Sequence, residues 1–181
     1  MTKIALVVGH NARSQGAVRV TDGRSEYDWM GDLSAQILAA NPGRYRVFRR
    51  PAGVVYTREI SQTYAEVDAW GASGSIELHF NAAAASTATG TETLTSGTKG
   101  SRRLATLIQS AMVGVLGLRD RGLLVRDRKA RGGESLWAGR APAVLIEPYF
   151  GSNAGDCAAA DRHFHQLAAG INAACTEFLK G

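Results

Sequence analysis

The chain offers little cysteine. Only Cys157 and Cys175 occur in 181 residues, and neither stands in the spacing of a zinc knuckle. A domain of this length can bury a sizeable core without covalent staples. Cys175 falls on the apolar face of a predicted helix and reads as a small buried hydrophobe. No run of 18 apolar residues exists, so no membrane insertion is expected. The amino end shows no long apolar segment followed by a small-residue cleavage site, and the expectation is cytoplasmic synthesis without a signal peptide. No linker and no internal repeat divide the sequence. Aromatic residues make up 7%, and they do not interleave with the arginines as a single-strand binding groove requires. No nucleic-acid partner is therefore expected. The formal charge of +5 suits an anionic surface or polymer equally well.

What is present is an alternation of strand and helix patterns. Residues 4–8 form a near-continuous apolar run, as an internal strand needs. Residues 11–24 are polar and glycine-containing, hence a loop. "SEYDWMGDLSAQILAA" reads as a helix, with Ser25 and Asp28 as its capping pair and Met30, Leu33 and Ile37 as its inner stripe. "RYRVFRR" alternates and predicts a more exposed strand. A second helix is expected over 59–70, a strand over 75–80, a loose loop over 82–89 and a short strand in "GTETLT". A third helix is expected over 101–116. A basic loop follows over 119–141, then the core strand "AVLIE" and a single last helix from about 159 to 179. This alternation predicts one α/β domain with helices on both faces of its sheet.

In such folds ligands gather beyond the carboxyl ends of the strands. Three strand candidates end in ionisable residues there. The first ends at His10. The second carries Glu77 and His79. The third ends at Glu147, followed by Pro148, which cannot continue a central strand. A carboxylate left unpaired after Val144, Leu145 and Ile146 is costly to bury. Glu26 stands on the buried stripe of its helix, four residues before Met30. A helix first turn also favours glutamate for its own sake, so a capping role stays open for it. Beside two histidines it is a natural third metal ligand. Two histidines and one carboxylate with an open position make a catalytic zinc arrangement, and Glu147 can serve as the proton-transferring carboxylate. The spacing 10, 26, 79 is long-range and by itself weakly diagnostic.

The order of these motifs is similar to that of the zinc-dependent N-acetylmuramoyl-L-alanine amidases of the amidase-3 type, in particular their phage endolysin branch. The resemblance rests on "VVGHNARSQGA", on Glu26 in "SEYDWMGDL", on "IELHFNA", on "GTETLT" and on "PAVLIEPYFGSNAGD". It runs from residue 3 to about 179. It implies a mixed, largely parallel, six-stranded sheet. It implies one Zn²⁺ held by His10, Glu26 and His79, with Glu147 as the catalytic carboxylate. The substrate class it implies is peptidoglycan, cut between the lactyl group of N-acetylmuramic acid and L-alanine. It also implies a bacteriolytic enzyme of one catalytic domain over 1–181, with no separate wall-binding module. Such an enzyme acts on the wall after release, with a membrane-permeabilising protein as a partner.

Two residues depart from the family pattern. Glu77 replaces a serine; it shares a sheet face with His79 and can orient a ligand, pair with an arginine or compete with Glu26. Asn11 replaces a common glycine, and asparagine tolerates a left-handed turn. Asn81, Arg131 and Arg140 are further candidates for shaping the site or binding substrate, with Arg140 a candidate oxyanion donor. Two other readings remain: a zinc peptidase acting on stem peptides, and a noncatalytic wall-binding protein on the same fold.

Overall fold

The computed structural model describes residues 2–181. Its centre is a six-stranded sheet built from β1 (Ile4–Val8), β2 (Tyr45–Arg49), β3 (Gly74–Leu78), β4 (Thr91–Thr95), β5 (Asp120–Val125) and β6 (Ala143–Glu147), in the order β2-β1-β3-β6-β4-β5. β2, β1, β3 and β6 run parallel. β4 is antiparallel to β6 and parallel to β5. The helices are α1 (Glu26–Ala40), α2 (Tyr56–Trp70), α3 (Lys99–Leu116), α4 (Gly133–Leu136), α5 (Ala154–Arg162) and α6 (Phe164–Phe178).

Alternation along β1 explains both layers. Ile4, Leu6 and Val8 point into the larger core, packed with Met30 and Leu33 of α1, Leu104 and Ile108 of α3 and Ile171 of α6. Ala5 and Val7 point the other way, against Ile60, Tyr64 and Val67 of α2. All five residues of β1 are fully buried. That is why the strand reads as an unbroken apolar run.

Two expectations are corrected. The basic segment 119–141 is not loop throughout, for it contains β5 and the one-turn α4. β5 sits at the sheet edge with little burial and carries Gly122 at φ 81°, so neither an apolar face nor a period announces it. The last helix is two. Asn153 caps α5 by accepting from the N–H groups of Gly155 and Asp156, and a break at His163 brings Phe164 edge-on to Trp29 with centroids 5.3 Å apart.

Crossovers leave β1 in one direction and return to β3 on its other side. The switch point therefore lies between the carboxyl ends of β1 and β3. The parallel register continues past the strands: Gly9 N–H donates to Leu78 O, and His79 N–H to Ile146 O. Residues 10, 79 and 147 thus arrive at one sheet edge.

Candidate active site

His10 is the one non-glycine residue among those described with a positive φ, 65°. A left-handed histidine is uncommon and costly, and such backbone collects at functional sites. The turn is held by Asn11, whose side-chain oxygen accepts from the N–H groups of Arg13 and Ser14 while its amide donates to Glu59 at 2.9 Å. Ser25 caps α1 by accepting from Asp28 N–H. Glu26 therefore opens the helix facing inward, almost wholly buried.

Three side chains meet. Glu26 Oε2 lies 3.1 Å from His10 Nε2, and Glu26 Oε1 lies 2.6 Å from His79 Nδ1. One donor atom from each of the three falls within 4.8 Å of the others, a group able to hold a metal ion. Burial alone raises the Glu26 pKa, but hydrogen bonds and charge from both histidines outweigh it and hold the carboxyl at about 2. Backbone approaches the trio where side chains would obstruct it. A Cβ on Gly16, whose φ is 80°, would stand 2.6 Å from His10 and 2.7 Å from Glu26, and one on Gly9 would collide with the His79 ring.

Glu77 stands behind His79 rather than within the trio. It is fully buried and accepts from Arg50, from the Tyr64 hydroxyl at 2.9 Å and from His79 Nε2 at 3.0 Å. Burial pushes the Tyr64 phenol up to about 12, so it stays a donor. With Glu77 holding Nε2, Nδ1 of His79 is turned toward Glu26 and His10, where it donates to Glu26 when protonated and offers a ligand lone pair when deprotonated. The donor set and this anchoring fit a small divalent cation such as zinc.

Glu147 ends β6 half-buried and lines the same cavity as the trio, a cleft of about 720 Å³. Antiparallel pairing sets it opposite Glu92. Burial first, and then the carboxylates of Glu92 and Glu26, push the Glu147 pKa up to about 7 against the opposing pull of His79. Glu92 is itself held by Arg121 at 2.5 Å and by the Asn81 amide at 2.8 Å.

The structure brings His10, Glu26, His79, Asn81, Arg131 and Glu147 to one cavity. Arg140 does not join them. Its side chain is 93% exposed beside Asp68 of α2, so it has no place as an oxyanion donor there. The loop 82–89 is tied down by Thr89 and Asn153 contacts, and only Ala82 of it lines the cleft. Sequence reasoning did not find Arg50, Tyr64, Glu59 or Glu92. Arg50 had a signal, because it follows a strand parallel to β1 and must emerge at the same edge.

A parallel-sheet edge that gathers two histidines, a carboxylate pinned ionised and a second carboxylate pushed toward neutrality has the parts of a metal-assisted hydrolase. The family comparison is specific. Residues 4–177 match the amidase-3 family model, N-acetylmuramoyl-L-alanine amidase, and the chain belongs to that family. It is an enzyme that hydrolyses an amide bond of peptidoglycan.

Solved structures share the fold. The catalytic domain of CwlV, an N-acetylmuramoyl-L-alanine amidase from Bacillus (Paenibacillus) polymyxa var. colistinus, superposes with a TM-score of 0.81 at 22% identity, covering 99% of both chains. An N-acetylmuramoyl-L-alanine amidase from Clostridium difficile 630 gives 0.82 at 23%, covering 99% of this chain and 98% of that one. The catalytic domain of an endolysin targeting Clostridium difficile gives 0.81 at 24%, covering 98% of each. No curated protein is significantly similar in sequence.

Proposed function

We propose that the chain is a zinc-dependent, endolysin-like catalytic unit that cuts the amide between the lactyl group of N-acetylmuramic acid and L-alanine. The observation carrying this reading is the trio of His10, Glu26 and His79 with Glu147 across the same cleft. His10 Nε2, His79 Nδ1 and Glu26 would hold the ion. When bound, zinc polarises the substrate carbonyl and lowers the pKa of a water molecule. Glu147 accepts a proton from the water as its oxygen attacks the carbonyl carbon. Glu147 then delivers that proton to the L-alanine nitrogen as the C–N bond breaks, leaving a lactyl carboxylate and a free amine. Glu77 and Tyr64 keep the His79 ring from rotating. Burial, with the carboxylates of Glu92 and Glu26 adding to it, raises the Glu147 pKa toward the range in which one carboxyl can both take and return a proton.

Among the described residues no helix is long and apolar enough to cross a membrane. The proposal includes cytoplasmic synthesis and a separate membrane-permeabilising protein that admits the enzyme to the wall.

The test is Glu147→Gln. Zinc content should stay near one per chain, while amide cleavage falls by about 10²–10⁴-fold, the usual worth of general acid–base catalysis. Near-normal cleavage by a folded, zinc-loaded variant would remove Glu147 from the mechanism.

A further inference from the structure

The cleft does not end at Glu147. It continues down the sheet face over Leu145 and Leu94 to the segment after β5, where Arg126 and Glu134 line it. The register measures the distance. Glu92 pairs with Glu147, Leu94 with Leu145 and Thr95 with Val144, while Val125 pairs with Thr95. Arg126 therefore lies level with Ala143, four residues from Glu147, or about 13 Å along the strand direction. An extended peptide covers that in about four residues.

Arg126 and Glu134 carry opposite charges and face one cavity, yet form no ion pair or side-chain hydrogen bond with each other or with any described residue. Each also has a buried polar atom without a partner, Arg126 Nε and Glu134 Oε2. Buried polar atoms are nearly always satisfied, and the exceptions call for a missing partner. The backbone prevents their collapse onto one another. The Trp137 indole donates to Arg126 O at 3.0 Å, the Asp127 carboxylate accepts from the N–H groups of Lys129 and Ala130, and Gly133 N–H donates to Ala130 O at 2.7 Å. Lys129 and Arg131, also without ion pairs, add positive charge on the Arg126 side of the same wall.

We infer that Arg126 and Glu134 form a subsite for a residue presenting a carboxylate and an ammonium together: the carboxylate on Arg126, the ammonium on Glu134. This rests on the amidase reading. In a stem peptide that begins L-alanine, D-glutamate, diamino acid, the third residue falls within this reach of the scissile amide. At that position a diamino diacid supplies both charges from its side chain, whereas a lysine side chain supplies only the ammonium. The subsite thus selects the diacid stem.

The experiment compares N-acetylmuramoyl tripeptides whose third residue is meso-diaminopimelate or L-lysine, each with its backbone α-carboxyl amidated so that only the side chains differ, with the amidated dipeptide lacking a third residue. Wild type should favour the diaminopimelate stem over lysine by about 10–100-fold in kcat/KM, the worth of one charge-assisted hydrogen bond. Arg126→Ala should erase that preference through KM, and Arg126→Lys should restore part of it. Glu134→Gln should weaken both tripeptides relative to the dipeptide. Calorimetric titration of the free diaminopimelate tripeptide reads the subsite without catalysis, and its affinity should fall by a similar factor in Arg126→Ala. Equal hydrolysis of the two tripeptides by wild type, or tripeptide binding indifferent to Arg126, overturns the subsite. Tripeptide binding that depends on Arg126, with no substrate cleaved, leaves the subsite standing and counts against the muramoyl-amide reading instead.

Discussion

Glu26 and Glu147 are both carboxylates in one cleft, and their surroundings drive them in opposite directions. Glu26, ringed by imidazoles, is held at about 2. In metal-free protein its folded pKa is depressed, so its stabilisation is present above the ordinary value of 4.5 and lost as pH falls toward 2. Glu147, pushed up to about 7 by burial and its carboxylate neighbours, has the reverse sign. The folded state binds its proton more tightly than the unfolded chain, so this group's contribution declines as pH rises from 4.5 through 7. In the metal-free protein Glu147→Gln should therefore raise the Tm at pH 8 relative to wild type and change it little at pH 4.5. A lower Tm at pH 8 would mean that the carboxylate closes the strand end by pairing.

The two glutamates that contact His79, Glu26 at Nδ1 and Glu77 at Nε2, are separable too. Glu26→Gln should lose zinc affinity severely. Glu77→Gln should cost zinc about 10–100-fold. It should also destabilise the protein by about 3–5 kcal/mol, because Arg50 is left buried without its partner. Metal titration beside denaturant unfolding checks both. Zinc retained in the first variant and lost in the second would reverse the ligand assignment.

At the scale of elements, the loop between β1 and α1 shapes the site as much as the strands do. Arg19, almost wholly buried, pairs with Asp22 and Asp161 and lies over Trp29 and Tyr149, tying that loop to α1 and α5. Gly16 lies in the same loop against His10 and Glu26. Gly16→Ala should displace the ligands and lower zinc affinity, while the core strands keep their helical and sheet circular dichroism. Unchanged zinc affinity would show that the loop can retreat. The main elements were legible where burial writes a period: β1 as an apolar run, α1 by its cap and stripe, α6 by Leu167, Ile171 and Cys175. β5 and α4 were not, since an exposed edge strand and a single turn bury too little to leave a pattern. The site follows the same division. His10, Glu26, His79 and Glu147 could be read because strand ends and a helix stripe place them. Glu92, Arg126 and Glu134 acquire meaning only from the antiparallel register of β4 and β6 and from the turn after β5.

Over the whole molecule, the topology explains why residues separated by 137 positions cooperate: parallel β1, β3 and β6 deliver 10, 79 and 147 to one edge. The scaffold does not need the ion, because its core is apolar and continuous on both sheet faces. Chelation should therefore stop catalysis and leave the fold. The most direct measurement is mass spectrometry of fragments released from purified peptidoglycan by the native, chelated and zinc-restored enzyme. The account predicts stem peptides with a new L-alanine amino terminus and glycan with free lactyl carboxylates. Both should vanish on chelation and return with about one equivalent of zinc. Shortened stem peptides still attached to glycan, or release indifferent to chelation, would contradict it.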